Sequence, residues 1–271
     1  MTSMPRLSIS EVTTRNWRFD EDVRNYAAAG IEAIGVWRDK LDLYGIEEGI
    51  QLLADSPLRV ANLVNAGHFL NMTRAQTRRA IDDVVEAIGL AQRLKTDCLL
   101  IVTGDVGSFH RTVDQARDVV VAALRELAPV AGAAGVRLAI EPIHERYAGY
   151  TFLHTIPDVL EVIEAVGSPH VGLFFDTDHL WESKDLLRNI ERAGQTIYGV
   201  HINDMPAAPG PGIDRRLLGE GVIPLREILA AIEATGYRGY YDVEIMSEQV
   251  WALDPHRVLE SCKTRFQQIW A

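Results

Sequence analysis

Eight short runs rich in apolar residues recur along this chain, separated by longer stretches of helical periodicity. They are Leu7–Val12, Ile31–Trp37, Leu58–Val64, Cys98–Thr103, Val136–Glu141, Val171–Asp176, Ile197–Asn203 and Tyr240–Ile245. Most are continuously apolar rather than alternating, as a strand buried on both faces requires. Thr73–Arg93 opens with Thr73 and Gln76 at capping-box spacing and then carries Ile81, Val84, Val85 and Ile88. Thr112–Ala131 gathers Val119, Val120, Ala123, Leu124 and Leu127 on one face. Pro157–Val166 and Pro224–Thr235 each start on a proline tolerated in a first helical turn and stop at Gly167 and Gly236. The last helix is expected at Pro255–Trp270. Eight strands, each followed by a helix, in 271 residues predict an α/β fold, the (β/α)8 TIM barrel. A doubly wound nucleotide-binding sheet would need a phosphate-cradling glycine turn, and neither G-x-G-x-x-G nor Walker A is present. Gly210-Pro211-Gly212 reads only as loop. No linker-like stretch divides the chain, so residues 1–271 read as one domain. The one irregular segment, Pro206–Gly221 after the seventh strand, is long for a compact domain, and such loops often carry function.

Composition narrows the chemistry. The formal charge of −11 argues against a nucleic-acid binder, which needs clustered Lys and Arg. Two cysteines, Cys98 and Cys262, can build neither a disulfide framework nor a Cys-rich zinc site. No leader pattern and no membrane-length apolar run are visible, so the expectation is a cytoplasmic protein with reduced thiols.

Barrel enzymes place catalytic groups at the C-terminal ends of strands. Those ends read Ile140-Glu141-Pro142, Phe175-Asp176-Thr177-Asp178-His179, Val200-His201-Ile202-Asn203-Asp204 and Asp242-Val243-Glu244-Ile245. Four consecutive strands thus each deliver one metal-competent side chain: Glu141, Asp176, His201 and Glu244. Any one alone reads as a solvated or salt-bridged group. Four converging from apolar runs would be costly to bury without a cation. Three oxygens and one nitrogen suit Mn2+, Mg2+ or Co2+ better than a thiolate-loving ion, with Zn2+ left open and Mn2+ favoured, one ion per chain.

These strand ends resemble the xylose-isomerase-like superfamily of sugar isomerases and epimerases, with the nearest look to inosose isomerase-like and ketose 3-epimerase-like members. Arg216-Leu217-Leu218-Gly219-Glu220-Gly221, followed by Pro224-Leu225, is similar to that superfamily's loop after strand seven. The resemblance implies that Glu141 and Glu244 bind the metal and flank the substrate carbon. One would abstract a proton next to the carbonyl and the other return it, through a metal-held enediolate. It further implies that His179 contacts substrate oxygens and that Arg216, or its neighbour Arg215, stabilises enediolate charge. Ketose 3-epimerases carry a glutamate six residues after the strand-five ligand, whereas Tyr147 stands there in this chain with Glu145 nearby. That departure weakens a transfer of free-ketohexose specificity. A homo-oligomer is a family-level expectation.

The first half of the barrel should shape the pocket. Glu11, Trp37, Asn65 and His68 stand at or just past strand ends, and Trp251 follows strand eight. Trp37 reads equally as a sugar platform or a plug, and Trp251 as a pocket wall or a subunit contact. His110, His144, His154, His170 and His256 read as surface polarity. The leading expectation is a metal-dependent isomerase or epimerase of a ketose, inosose or related keto-polyol. The alternative is a lyase on the same scaffold, since proton abstraction beside a ketone also sets up β-elimination, as in dehydration of a keto-polyol or cleavage of a 3-keto-glycoside, C-glycosides included. An apurinic-site endonuclease would need more histidines and a basic surface. A non-catalytic barrel would not need the full ligand set. The small-molecule substrate leaves no role for nucleic acid or membrane.

Overall fold

The computed structural model describes residues 6–70, 73–106, 112–147, 149–210 and 212–270. Eight parallel strands close into a barrel in sequence order. They are β1 (Arg6–Ser10), β2 (Ala33–Trp37), β3 (Arg59–Gly67), β4 (Cys98–Val102), β5 (Arg137–Ile140), β6 (Val171–Asp176), β7 (Ile197–Ile202) and β8 (Tyr240–Val243). Closure is made by β1 on β8, with Ile9 opposite Val243. All eight expected runs are strands, because their side chains are covered by the barrel interior on one face and by helices on the other.

The helices are α1 (Phe19–Ala28), α2 (Arg38–Tyr44), α3 (Ile46–Ala54), α4 (Arg74–Arg93), α5 (Val113–Ala134), α6 (Ile156–Val166), α7 (Thr177–Leu180), α8 (Leu186–Ala193), α9 (Leu225–Ala234), α10 (Glu248–Trp251) and α11 (Pro255–Trp270). Thr73 caps α4 through Gln76, as the capping-box spacing predicts, and the structure shows Thr112 capping α5 through Gln115 in the same way. Gly135 and Gly167 end α5 and α6 at φ of 70° and 71°, a conformation that any Cβ would strain. Pro224 stands one residue before α9 rather than in its first turn.

Two features position the top of the barrel. Asp204, just past β7, ties down the long following loop. Its Oδ2 accepts from the Gly219 and Gly221 amides at 2.9 Å, and its Oδ1 from Met205 and Ile223. Arg216 and Asp204 also form a backbone bridge, which fixes the direction of the loop's return. Burial pushes the thiols of Cys98 and Cys262 up to about 12, so both are inert packing groups. No helix among the described residues is long and apolar enough to cross a membrane.

Candidate active site

Parallel register sets Asp176, the last residue of β6, directly beside His201 in β7. Glu141, one residue past β5, completes a buried group in which one ligand atom from each residue lies within 4.8 Å of the others. His201 Nδ1 is the centre. It lies 3.3 Å from Glu244 Oε2, 3.7 Å from Glu141 Oε1 and 3.8 Å from Asp176 Oδ2. Neither ring nitrogen of His201 has a hydrogen-bond partner although the residue is buried. Such a nitrogen facing three carboxylates is costly unless something cationic stands between them. The donor set therefore fits a divalent metal ion, with Glu141, Asp176 and His201 as the group that can hold it.

The expected ligand residues are supported from below. His201 Nε2 lies 3.4 Å from Asp242 Oδ2, and Asn62 Nδ2 donates to that same oxygen at 3.0 Å. Phe174 packs edge-on against the imidazole, with ring centroids 4.4 Å apart. Asn203 Nδ2 donates to Asp176 Oδ1 at 3.0 Å and is held in turn by Thr177. These contacts leave the ring little freedom to turn.

Glu244 stands in two relationships at once. Besides His201, it accepts from Arg215 Nη1 at 2.5 Å. The same guanidinium donates from Nη2 to Asp176 Oδ2 at 3.0 Å and from Nε to Asp178 Oδ2 at 3.2 Å. Burial opposes charge on Arg215, but Asp176, Asp178 and Glu244 outweigh it and push its pKa up, so it stays a cation. Burial alone would raise Glu244, yet His201 and Arg215 bring it down to about 2. Glu141 has no arginine on it, and burial pushes it above its ordinary value. Without an ion the two glutamates are thus pushed in opposite directions.

Arg216, the loop arginine favoured from the sequence, does not join this group. It pairs with Asp214 at 2.8 Å and with nearby backbone oxygens, because its backbone bridge to Asp204 turns its side chain away. Its neighbour Arg215 enters instead, anchored by its amide to Met246 O.

A cavity of about 170 Å3 opens over these groups, lined among others by Glu141, His179, Arg215, Glu244, Asn65 and Trp37. His179 Nε2 lies 3.4 Å from Arg215 Nη2. Tyr147 also lines it and donates to Asp178 Oδ2 at 2.9 Å. Its hydroxyl is therefore committed to Asp178, while Glu145 is exposed. Glu11 and Trp251 line an adjoining cleft rather than this cavity. His68 is exposed, stands at a left-handed φ of 53° and lines neither cavity. Of the remaining histidines, His144 contacts Arg146 and Glu182, His154 bonds Ile143 O, His256 packs on Trp17, and His110 lies outside the described residues. Sequence reasoning passed over Asp178 and Asp242. Both stand two residues from a selected acid, and for Asp242 the strand's two-residue period was a usable signal.

A closed parallel barrel with a buried acid–imidazole cluster at its C-terminal mouth defines a class of barrel enzyme scaffolds. The chain belongs to the xylose isomerase-like TIM barrel family, whose model matches residues 23–263. It is 27% identical to inosose isomerase of Halalkalibacterium halodurans over 52% of this chain and 50% of that protein. It is 31% identical to D-psicose 3-epimerase of Enterocloster bolteae over 43% of this chain and 36% of that protein. A match to 3-dehydroshikimate dehydratase of Pseudomonas putida, 26% identical, runs over 84% of this chain and 36% of that protein. The chain spans half or less of these curated relatives. Among solved structures, protein SMc04130 of Sinorhizobium meliloti 1021 is 35% identical with a TM-score of 0.92, covering 97% of this chain and 98% of that one. The IOLI protein, solved with a bound zinc atom, shares the fold at 20% identity and a TM-score of 0.86, over 97% of each chain.

Proposed function

We propose that this protein is a divalent-metal-dependent isomerase or epimerase of a keto sugar, inosose or related keto-polyol. The observation that carries the reading is the convergence of Glu141, Asp176, His201 and Glu244 around an imidazole nitrogen with no hydrogen-bond partner. Glu141, Asp176 and His201 would hold the ion, with Glu244 as the fourth ligand. When bound, the ion would polarise the substrate carbonyl and offset the negative charge that develops on its oxygen. The oxygen-rich donor set favours Mn2+, and the zinc of the IOLI protein makes Zn2+ the competitor to test.

The chain's own residues supply the proton traffic. Glu244, kept ionised by the Arg215 guanidinium, takes the proton from the carbon next to the carbonyl. The second glutamate, Glu141, returns a proton to the neighbouring carbon or to the opposite face of the same one. Arg215 stays charged beside the oxygen that gains electrons, and His179 is placed to hold a substrate hydroxyl.

Metal-loaded protein incubated in D2O with ketoses, inososes and keto-glycosides should place deuterium on the carbon next to the carbonyl. Glu141→Gln and Glu244→Gln should abolish the exchange, with metal content measured alongside. Absence of exchange across the panel with metal bound would overturn the proposal. The long alignment with a dehydratase favours one second reading. The same abstraction followed by loss of a β-hydroxyl or an alkoxide gives a lyase, recognised by released water or alcohol in place of an isomeric sugar.

A further inference from the structure

A second concavity lies at the opposite end of the barrel. Its volume is about 720 Å3, inside the roughly 300–1,000 Å3 of ordinary small-molecule sites, and it shares no lining residue with the cavity over the acidic cluster. The two-residue period of the strands puts it there. Arg137 lies four residues before Glu141 on the same face of the chain through β5, and Tyr240 four before Glu244 on that through β8. Four residues are about 13 Å along a strand, so this floor stands well below the reaction centre. The concavity runs inward as far as Asn62 and Gly199, both buried.

Its walls carry five cations, Arg6, Arg59, Lys95, Arg137 and Arg238, and one acid, Asp97. The whole chain runs the other way, with 27 Lys and Arg against 38 Asp and Glu. Arg6 opens β1, Arg59 opens β3 and Arg137 opens β5, while Lys95 and Arg238 stand just before β4 and β8. Asp97 pairs with Arg137 at 2.5 Å, and among the described residues the other four cations form no ion pair. Packing does not account for those four, because all are exposed. Two of the guanidiniums are held by aromatic faces. Arg6 lies 4.5 Å from the Tyr240 ring centroid and Arg137 4.6 Å from that of Tyr198. Tyr198 is itself fixed, since its hydroxyl donates to Pro169 O at 2.7 Å and its ring fills the space a Cβ on Gly172 would need. Like charges gathered in one concavity focus a positive potential into it and raise the local concentration of anions.

We propose that this floor is a binding site, separate from the reaction centre, for a small molecule that carries two phosphoryl groups. Near neutral pH each such group bears a charge of about −1.5 to −2, so two of them balance the four unpaired cations. Arginine forks match phosphate oxygens in bidentate geometry. A long polyanion is disfavoured, because the net charge of −11 repels whatever lies outside the concavity, whereas a small ligand sits wholly within it. A sugar bisphosphate and a nucleoside diphosphate share the required chemistry.

The test uses metal-free protein, with the chelator dialysed away so that no ion carries phosphate to the reaction centre. Calorimetry at low salt compares a hexose bisphosphate, adenosine diphosphate, inorganic phosphate and a single-stranded oligonucleotide. At least one of the first two should bind saturably at a single site per chain, about tenfold or more tightly than inorganic phosphate, the scale of one further charged hydrogen bond. Which of them does so identifies the ligand as a sugar bisphosphate or a nucleotide. Arg59→Gln and Lys95→Gln should each weaken that binding about tenfold. Both side chains are exposed, so the melting temperature of the free protein should not change. Lack of saturable binding by either of the first two probes, binding untouched by both substitutions, or an oligonucleotide held as tightly as the probes overturns the site.

Discussion

Arg215 Nη1 lies 2.5 Å from Glu244 Oε2, and both side chains are shut off from solvent. The same guanidinium reaches Asp176 and Asp178, so one fixed cation spans three buried carboxylates. Removing it leaves those charges uncompensated, which costs about 3–5 kcal/mol for a buried pair broken on one side. Arg215→Ala should therefore lower the melting temperature sharply, with partial recovery on adding Mn2+. Turnover of any substrate found should fall about 100-fold or more, the scale of a lost electrostatic stabiliser. Arg215→Lys keeps a charge but not the fork, and should recover stability better than activity. Arg216→Ala removes a partly exposed pair with Asp214, and should change stability by less than about 1 kcal/mol. Equal effects at positions 215 and 216 would sink this account.

Metal removal should be visible without a substrate. An ion that binds the folded chain at 100 times its Kd adds about 2.7 kcal/mol of stability. Melting temperature should rise with added Mn2+ or Zn2+ and fall again with a chelator. Elemental analysis should find about one ion per chain after loading. Asp176→Asn and His201→Asn should each remove most of that response, because each deletes an atom from the buried group. A metal-induced rise that persists in both variants would place the ion elsewhere.

The barrel was legible because its strands are buried on two faces and announce themselves as unbroken apolar runs, such as Leu99–Val102 and Val171–Phe175. Thr73, at capping-box spacing from Gln76, marked the start of α4 for a similarly local reason. The helices α1 and α2 were less visible, since both are short and rich in charge, two of the buried residues of α1 are aspartates, and α2 buries only Leu41. Strand-end acids were readable because polar side chains interrupt apolar runs. Which of two adjacent arginines enters the site was not, because it depends on the Asp204–Arg216 bridge and on Met246 accepting from the Arg215 amide. The Glu11–Trp37 contact was equally invisible, as it joins two strands through side chain and backbone.

Asp242 and Gly35 form a linked pair beneath the imidazole. Asp242 Oδ2 faces His201 Nε2 at 3.4 Å, and a Cβ on Gly35 would stand 2.1 Å from that same oxygen. A carboxylate on the far nitrogen of a ligating histidine holds the ring's orientation and tautomer, and its loss typically weakens metal binding about 10–100-fold. Asp242→Asn and Gly35→Ala should both weaken metal binding on that scale, the second by pushing the carboxylate aside. Calorimetric titration with Mn2+ checks both. Normal affinity in Gly35→Ala would show that the carboxylate is not positioned by this gap.

Glu11 gives a pH prediction of definite sign. Burial and the nearby Asp22 push its pKa well above the ordinary 4.5, and burial holds Asp22 at about 7 despite Lys40. Both groups therefore bind protons more readily folded than unfolded. Their stabilising contribution is fully present below the unfolded values and is lost as pH rises through the folded ones, from about pH 4 to 7 for Asp22 and onward for Glu11. Glu11→Gln keeps an acceptor for the Trp37 amide and removes a carboxyl whose ionisation burial opposes. Relative to the unaltered chain, it should gain about 2–4 °C in melting temperature at pH 8 and little or nothing at pH 5. Subtracting the two melting curves at each pH cancels contributions from His201 and Glu244, which titrate in both proteins. A difference that stays flat from pH 5 to pH 8 would mean that Glu11 is ionised at no cost in the folded chain, against the complete burial of its carboxyl.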